Sequence, residues 1–169
     1  MKKTAYFASE WYERWPAAHE LERYFLAPPG RQWFGGPGRT DTAGFRAEGA
    51  DKTEHLPEGK GRVYIDLNMW GRADLGVLLL YWKRADGEGE TYTSLGDLNR
   101  LDEMMMGAHG DILPIGLFIP FERAWEAVKE FIQTEGRLPT SIDWIANKDL
   151  PPHTFPEPTR ENAKRYGLV

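Results

Sequence analysis

The chain has 169 residues, a formal net charge of -5, 13% aromatic residues including seven tryptophans, and no cysteine. That length fits one domain able to bury about 70% of its unfolded surface, so folding requires neither disulfide nor metal. The lack of cysteine excludes thiol catalysis and thiolate zinc sites, and the mild negative charge argues against a general nucleic-acid binder and for a neutral or basic partner.

Met1-Lys2-Lys3-Thr4-Ala5 imitates the charged end of a secretory signal, but Glu10, Glu13, Arg14 and Pro16 interrupt any apolar run that could follow. The longest apolar stretch, Val77 to Trp82, is too short to span a bilayer, so the expectation is a soluble, cytoplasmic protein with no membrane contact. A helix is expected over 17–26, started by Pro16, carrying Leu21, Tyr24 and Phe25 on one face and stopped by Pro28-Pro29-Gly30. Residues 30–61 are rich in Gly, Pro and charge and read as a long loop with at most a short edge strand near Phe45.

Residues 62–94 read as a β-meander. Val63, Ile65, Leu67 and Met69 alternate with Tyr64, Asp66, Asn68 and Trp70, as in a half-buried strand. Gly71 to Asp74 turns the chain, Leu75 to Trp82 is apolar on both faces as in a central strand, Asp86-Gly87 is a hairpin turn, and Thr91 to Thr93 suit a third strand. A further strand covers either Leu101 to Met106 or Ile115 to Ile119. Then Phe121, Trp125, Val128, Phe131 and Ile132 recur at helical spacing, with Pro120 at the start and Gly136 and Pro139 at the stop, before a strand around Ile142, Trp144 and Ala146. The expected fold class is α+β: a mainly antiparallel β-sheet with a C-terminal helix packed on one face and a short N-terminal helix. The expected organisation is one domain over 1–150 and a Pro-rich tail over 151–169, extended or loose.

Chemical motifs are scarce. His19-Glu20-Leu21-Glu22 begins like a zinc-protease helix, but Arg23 stands where the second histidine belongs. His109-Gly110-Asp111 reads as a turn. Gly35-Gly36-Pro37-Gly38 lacks dinucleotide spacing, Gly59-Lys60-Gly61-Arg62 lacks the frame of a phosphate loop, and Ser94 is not in a nucleophile elbow. Glu122, Glu126 and Glu130 recur every four residues, as on a solvated helix ridge, and the Met104-Met105-Met106 run reads as core. No cofactor and no metal is expected.

The block Ala124 to Phe131, followed by Thr134, Gly136, Arg137, Pro139 and Ile142-Asp143-Trp144, resembles the C-terminal signature of the Imm1 immunity proteins: a helix ending in Phe, a Thr-Gly-Arg-Pro-like corner, and a strand ending in acid-Trp. Gly76 to Lys83 resembles that family's central strand. The resemblance spans about Val63 to Trp144, and Glu135 and Leu138 are departures from the corner pattern. It implies a protein that binds a cognate bacterial toxin domain, one to one, and blocks it; such toxins are often of deaminase fold and act on nucleic acid.

Three functions follow as expectations. The first is toxin neutralisation, with contacts from Trp70, Arg72 and Asp74 at one hairpin and Glu88, Glu90, Asp97, Asp102 and Glu103 near the next. The alternatives are a small-ligand or carbohydrate-binding module using Trp33, Trp70 or Trp82, and a small hydrolytic enzyme in which Asp66, His109 or Asp111 converge in one cleft.

Overall fold

In the computed structural model the described residues are 1–26, 33 and 41–169; Pro28-Pro29-Gly30 and Gly35 to Gly38 lie outside them. Nine strands appear among the described residues: β1 (Lys2–Phe7), β2 (Glu10–Tyr12), β3 (Thr42–Ala50), β4 (Val63–Arg72), β5 (Gly76–Ala85), β6 (Glu88–Ser94), β7 (Met104–Met106), β8 (Ile112–Pro114) and β9 (Trp144–Ala146). The helices are α1 (Ala18–Leu26), α2 (Phe121–Gln133) and α3 (Arg160–Arg165). Seven strands form one antiparallel sheet in the order β2-β1-β3-β4-β5-β6-β9, and β7 pairs β8 in a separate ribbon. The α+β architecture expected from the sequence is the one found.

Strand alternation divides the sheet into two faces. Phe7, Phe45, Leu67, Met69, Leu79 and Tyr81 point to one face, where they are buried against Leu21 and Phe25 of α1 and against Trp125, Val128 and Phe131 of α2. The α2 stripe is the one the spacing predicts, joined by Ala124 and Ala127, which let the helix approach the sheet closely. Pro120 caps α2 from just outside the helix. At the other end Gly136, at φ +93, donates its N–H to Phe131 O at 2.9 Å, closing the last turn in the left-handed manner that glycine permits.

The corner after α2 is bonded at every step. The Tyr81 hydroxyl donates to Gly136 O (3.2 Å), and Trp144 Nε1 donates to Pro139 O (2.8 Å). Glu130 accepts from Thr140 N (2.9 Å) and Ser141 N (2.8 Å). Glu130 is therefore an anchor for the corner rather than a member of a solvated ridge, while Glu126 pairs with Arg123.

Three features depart from the sequence reading, and one alternative it left open is resolved. Residues 2–12 form the β1–β2 hairpin, with Ala8 (φ 49) and Ser9 (φ 66) in its turn. The predicted loop over 30–61 contains β3, a nine-residue inner strand between β1 and β4. Its inward positions include Ala43 and Ala47 on either side of Phe45, which packs against Trp15 and Phe131, so hydrophobic bulk along the strand is confined to one residue. Of the two stretches offered for a further strand, 104–106 pairs with Ile112–Pro114, whereas Ile115–Leu117 is a 3-10 turn and Ile119 only bridges Val77. Within the tail, Thr159 caps α3 by accepting from Asn162 N, and Thr154 and Ala163 are buried.

The second face of the sheet is covered over part of its area. Leu78 of β5 is buried there against Met105, Leu113, Leu117 and Phe118, with Trp70 and Leu80 packed alongside. Met105 is thus core, while Met106 is exposed.

Candidate functional site

Beyond Trp70, the second face over β1, β3 and β4 carries a groove of about 460 Å³, lined by Tyr6, Trp11, Arg46, Asp66 and Asn68. Its rows follow from register. Trp11 of β2 stands beside Tyr6, then Gly44, then Asn68; the next row runs Thr4, Arg46, Asp66, Trp82. The depression exists because glycine occupies the position between Tyr6 and Asn68. A Cβ at Gly44 would lie 3.2 Å from Asn68 Oδ1, so any side chain there would fill the floor.

Trp11 is 66% exposed and forms one wall, 6.3 Å between centroids from the Tyr6 ring. The opposite end is the 107–111 turn. Asp41, buried, accepts from Ala108 N at 3.0 Å through Oδ2 and from Gly71 N at 2.9 Å through its carbonyl, and so fixes that turn to the end of β4. His109-Gly110-Asp111 is the turn its composition predicts, with Gly110 at φ +87. Trp70 Nε1 donates to Asp111 Oδ2 at 3.2 Å.

The floor holds one buried charge. Asp66 is 3% exposed, and its Oδ1 accepts from Arg46 Nε at 2.9 Å, while Arg46 itself reaches solvent. Asp66 Oδ2 is shielded from solvent and has no hydrogen-bond partner among the described residues. Burial pushes the Asp66 carboxyl above its ordinary pKa, and the nearby Arg46 guanidinium only partly offsets this. Along the floor Arg84 stacks on the Trp82 ring at 4.0 Å.

The eight expected contact residues lie on three segments. Trp70 lies in the groove, while Arg72 and Asp74, paired with each other at 2.7 Å, line a separate depression at the β4–β5 turn with Met105 to Ala108. Glu88 and Glu90 lie on β6 opposite Ala85 and Lys83, at positions that alternate to the other sheet face from Thr91, which continues the Asp66–Trp82 row. Asp97, Asp102 and Glu103 are exposed on a third segment. There Asp97 accepts from Asn99 N, and Arg100 forks onto Glu103, holding that carboxyl below its ordinary pKa.

Asp66, His109 and Asp111, named for the hydrolytic alternative, do share the groove lining. Of the tryptophans named for stacking, Trp33 is buried with Nε1 donating to Tyr24 O (2.7 Å), and Trp82 is capped by Arg84. The sequence reading missed Tyr6, Trp11, Gly44 and Arg46. The one available signal was the aromatic pairing in Tyr6-Phe7 and Trp11-Tyr12 across the three residues Ala8-Ser9-Glu10.

Among the described residues, no group of three or more His, Cys, Asp or Glu side chains is placed to hold a metal ion, and no helix is long and apolar enough to cross a membrane. The family model described as Immunity protein Imm1 matches residues 27–146, which reaches upstream of the resembling stretch and takes in β3. No curated protein and no solved structure was found to match the chain.

Proposed function

The chain belongs to the Imm1 family of immunity proteins, and on that premise we propose that it binds the toxin domain encoded beside it, one to one, in the cytoplasm of the producing cell, and blocks it. The toxin we infer is of deaminase fold and acts on nucleic acid; its basic substrate groove is the kind of surface an inhibitor of net charge -5 can cover. The role proposed is occlusion, with no catalytic residue of its own.

The observation that carries this reading is the open half of the second sheet face. It presents Trp11, Tyr6, Trp70 and Arg46, the residue types that anchor protein interfaces, around a depression on a rigid sheet. We place the toxin on this face, with Trp70, Arg72 and Asp74 at its centre and rim. An interface of about 800 Å² per partner centred on the groove would leave out Glu88 and Glu90, which alternate to the opposite sheet face from Asp66, Trp82 and Thr91; contact there, or at Asp97, Asp102 and Glu103, would need a second lobe of the toxin. The immunity domain proposed is 1–150, supported by a family match that ends at Ala146.

Co-expression with the adjacent toxin domain, followed by pull-down and a survival assay, tests this. A one-to-one complex and rescued growth are expected. Loss of rescue on charge reversal at Arg72 or Asp74, but not at Glu88 or Asp102, would place the contact on the open face. Absence of both binding and rescue would refute the immunity reading.

One observation favours a second reading, a small-ligand site or hydrolase: Asp66, His109 and Asp111 line one groove with Tyr6 and Trp11. Against hydrolysis, no hydrogen bond among the described residues joins either carboxylate to His109; Asp66 accepts from Arg46 and Asp111 from Trp70. A thermal-shift screen with neutral sugars would support this alternative if any raised the melting temperature and Trp11→Ala abolished the rise.

A further inference from the structure

We propose that the groove over β1, β3 and β4 receives one basic side chain of the toxin domain, an arginine, seated between the Trp11 and Trp70 ends with its guanidinium on Asp66 and with Asp111 lining its approach. This deepens the immunity reading and rests on it.

The charge balance of the groove comes first. Its lining holds two carboxylates, Asp66 and Asp111, against one cation, Arg46. Arg46 satisfies only Oδ1 of Asp66, through a single nitrogen. The other oxygen is buried and without a donor, and a buried acceptor left unmade is costly until a partner supplies one. Asp111 is likewise engaged through Oδ2 alone among the described residues. Two half-used carboxylates within one depression match a donor that offers several N–H groups in a fixed plane.

The walls favour the same guest. Tyr6, Trp11 and Trp70 line the groove, and the faces of such rings attract cations. The fold already stacks a guanidinium on an indole in the next row, where Arg84 covers Trp82. Space for the guest comes from Gly44, whose φ is an ordinary strand value and whose backbone does not need glycine; what the position uses is the missing side chain. Arg46 is half-exposed and holds only Oδ1 of Asp66, which leaves the adjacent oxygen to the incoming cation.

The test is titration calorimetry of the adjacent toxin domain against the full chain and its Asp66→Asn, Asp111→Asn, Gly44→Leu and Arg46→Gln variants, each first checked for cooperative unfolding. Asp111→Asn, at the groove's end, keeps the test decisive if a floor variant fails to fold. The expected result is a loss of about tenfold or more in affinity for Asp111→Asn and for the folded floor variants at Asp66 and Gly44. One Arg→Ala change in the toxin should then cost little further in the Asp111→Asn background, as a coupled pair requires. Wild-type affinity in the Asp66, Asp111 and Gly44 variants would overturn the proposal while leaving the immunity reading intact. Loss confined to Arg46→Gln would also overturn it, since the groove would then take an anion. No binding by the wild-type chain would overturn both.

Discussion

Phe131 meets Trp15, Phe45 and Tyr81 at centroid distances of 4.9, 5.5 and 6.3 Å, and is fully buried. Phe131→Ala removes this junction between α2 and the sheet and is expected to cost about 3–5 kcal/mol, read from the shift in urea midpoint. Glu130 is held below its ordinary pKa, chiefly by the Thr140 N–H. A carboxylate whose folded pKa is depressed contributes stability that is present above the unfolded value and lost as pH falls through the folded one. Glu130→Gln is therefore expected to lower the urea midpoint at pH 7, and the gap to wild type should close in acid; an equal gap at pH 7 and pH 3 would contradict this. Asp66 runs the other way. Its pKa is raised by burial, so ionising it opposes folding, and this penalty is relieved as pH falls through the folded value. Asp66→Asn should remove that part of the pH profile, leaving the acid-side loss to groups such as Glu130.

At the scale of the element, what could be read from the sequence depended on whether the determinants were local. α2 was legible because its stripe, its proline start and its glycine stop all lie within 16 residues of one another. The β5–β6 hairpin was legible for the same reason: Asp86 and Gly87 both adopt positive φ, as that turn pair predicts. The β1–β2 hairpin was not, because Ala8 and Ser9 take the same left-handed conformation with neither asparagine nor glycine to announce it. The inward Lys3 further masks the alternation of Ala5 and Phe7; it lies 4.8 Å over the Trp15 ring and pairs with Glu135. Replacing Ala8-Ser9 by Asn-Gly is expected to stabilise the chain by about 1–2 kcal/mol, seen as a higher melting temperature with unchanged toxin binding. β3 was hidden because Phe45 is its one large inward residue, and the Trp15 and Phe131 rings that bury it come from far away in the chain.

For the whole molecule, the sheet has α1 and α2 on one face and the β7–β8 ribbon over part of the other, and the proposed docking site is the groove beside that ribbon. The tail after Leu150 contains α3 and lies beyond the family match. A chain ending at Leu150 keeps the side chain that packs beside Leu78 and Phe118. It is expected to unfold cooperatively and to bind the toxin domain with unchanged affinity, as measured by calorimetry. Lost binding with the fold intact would assign the tail to the interface. Composition and spacing by themselves determined the α+β class, the meander, α2 with its corner, and the resemblance to Imm1, because each rests on periodicity or on neighbours a few residues apart. The tertiary structure decided the groove. Trp11, Tyr6, Gly44, Arg46, Asp66 and Asp111 come from β2, β1, β3, β4 and a distant turn, and only strand register sets them side by side. Register is a relation between strands far apart in sequence, fixed by burial of the opposite face, and no single stretch of the chain encodes it.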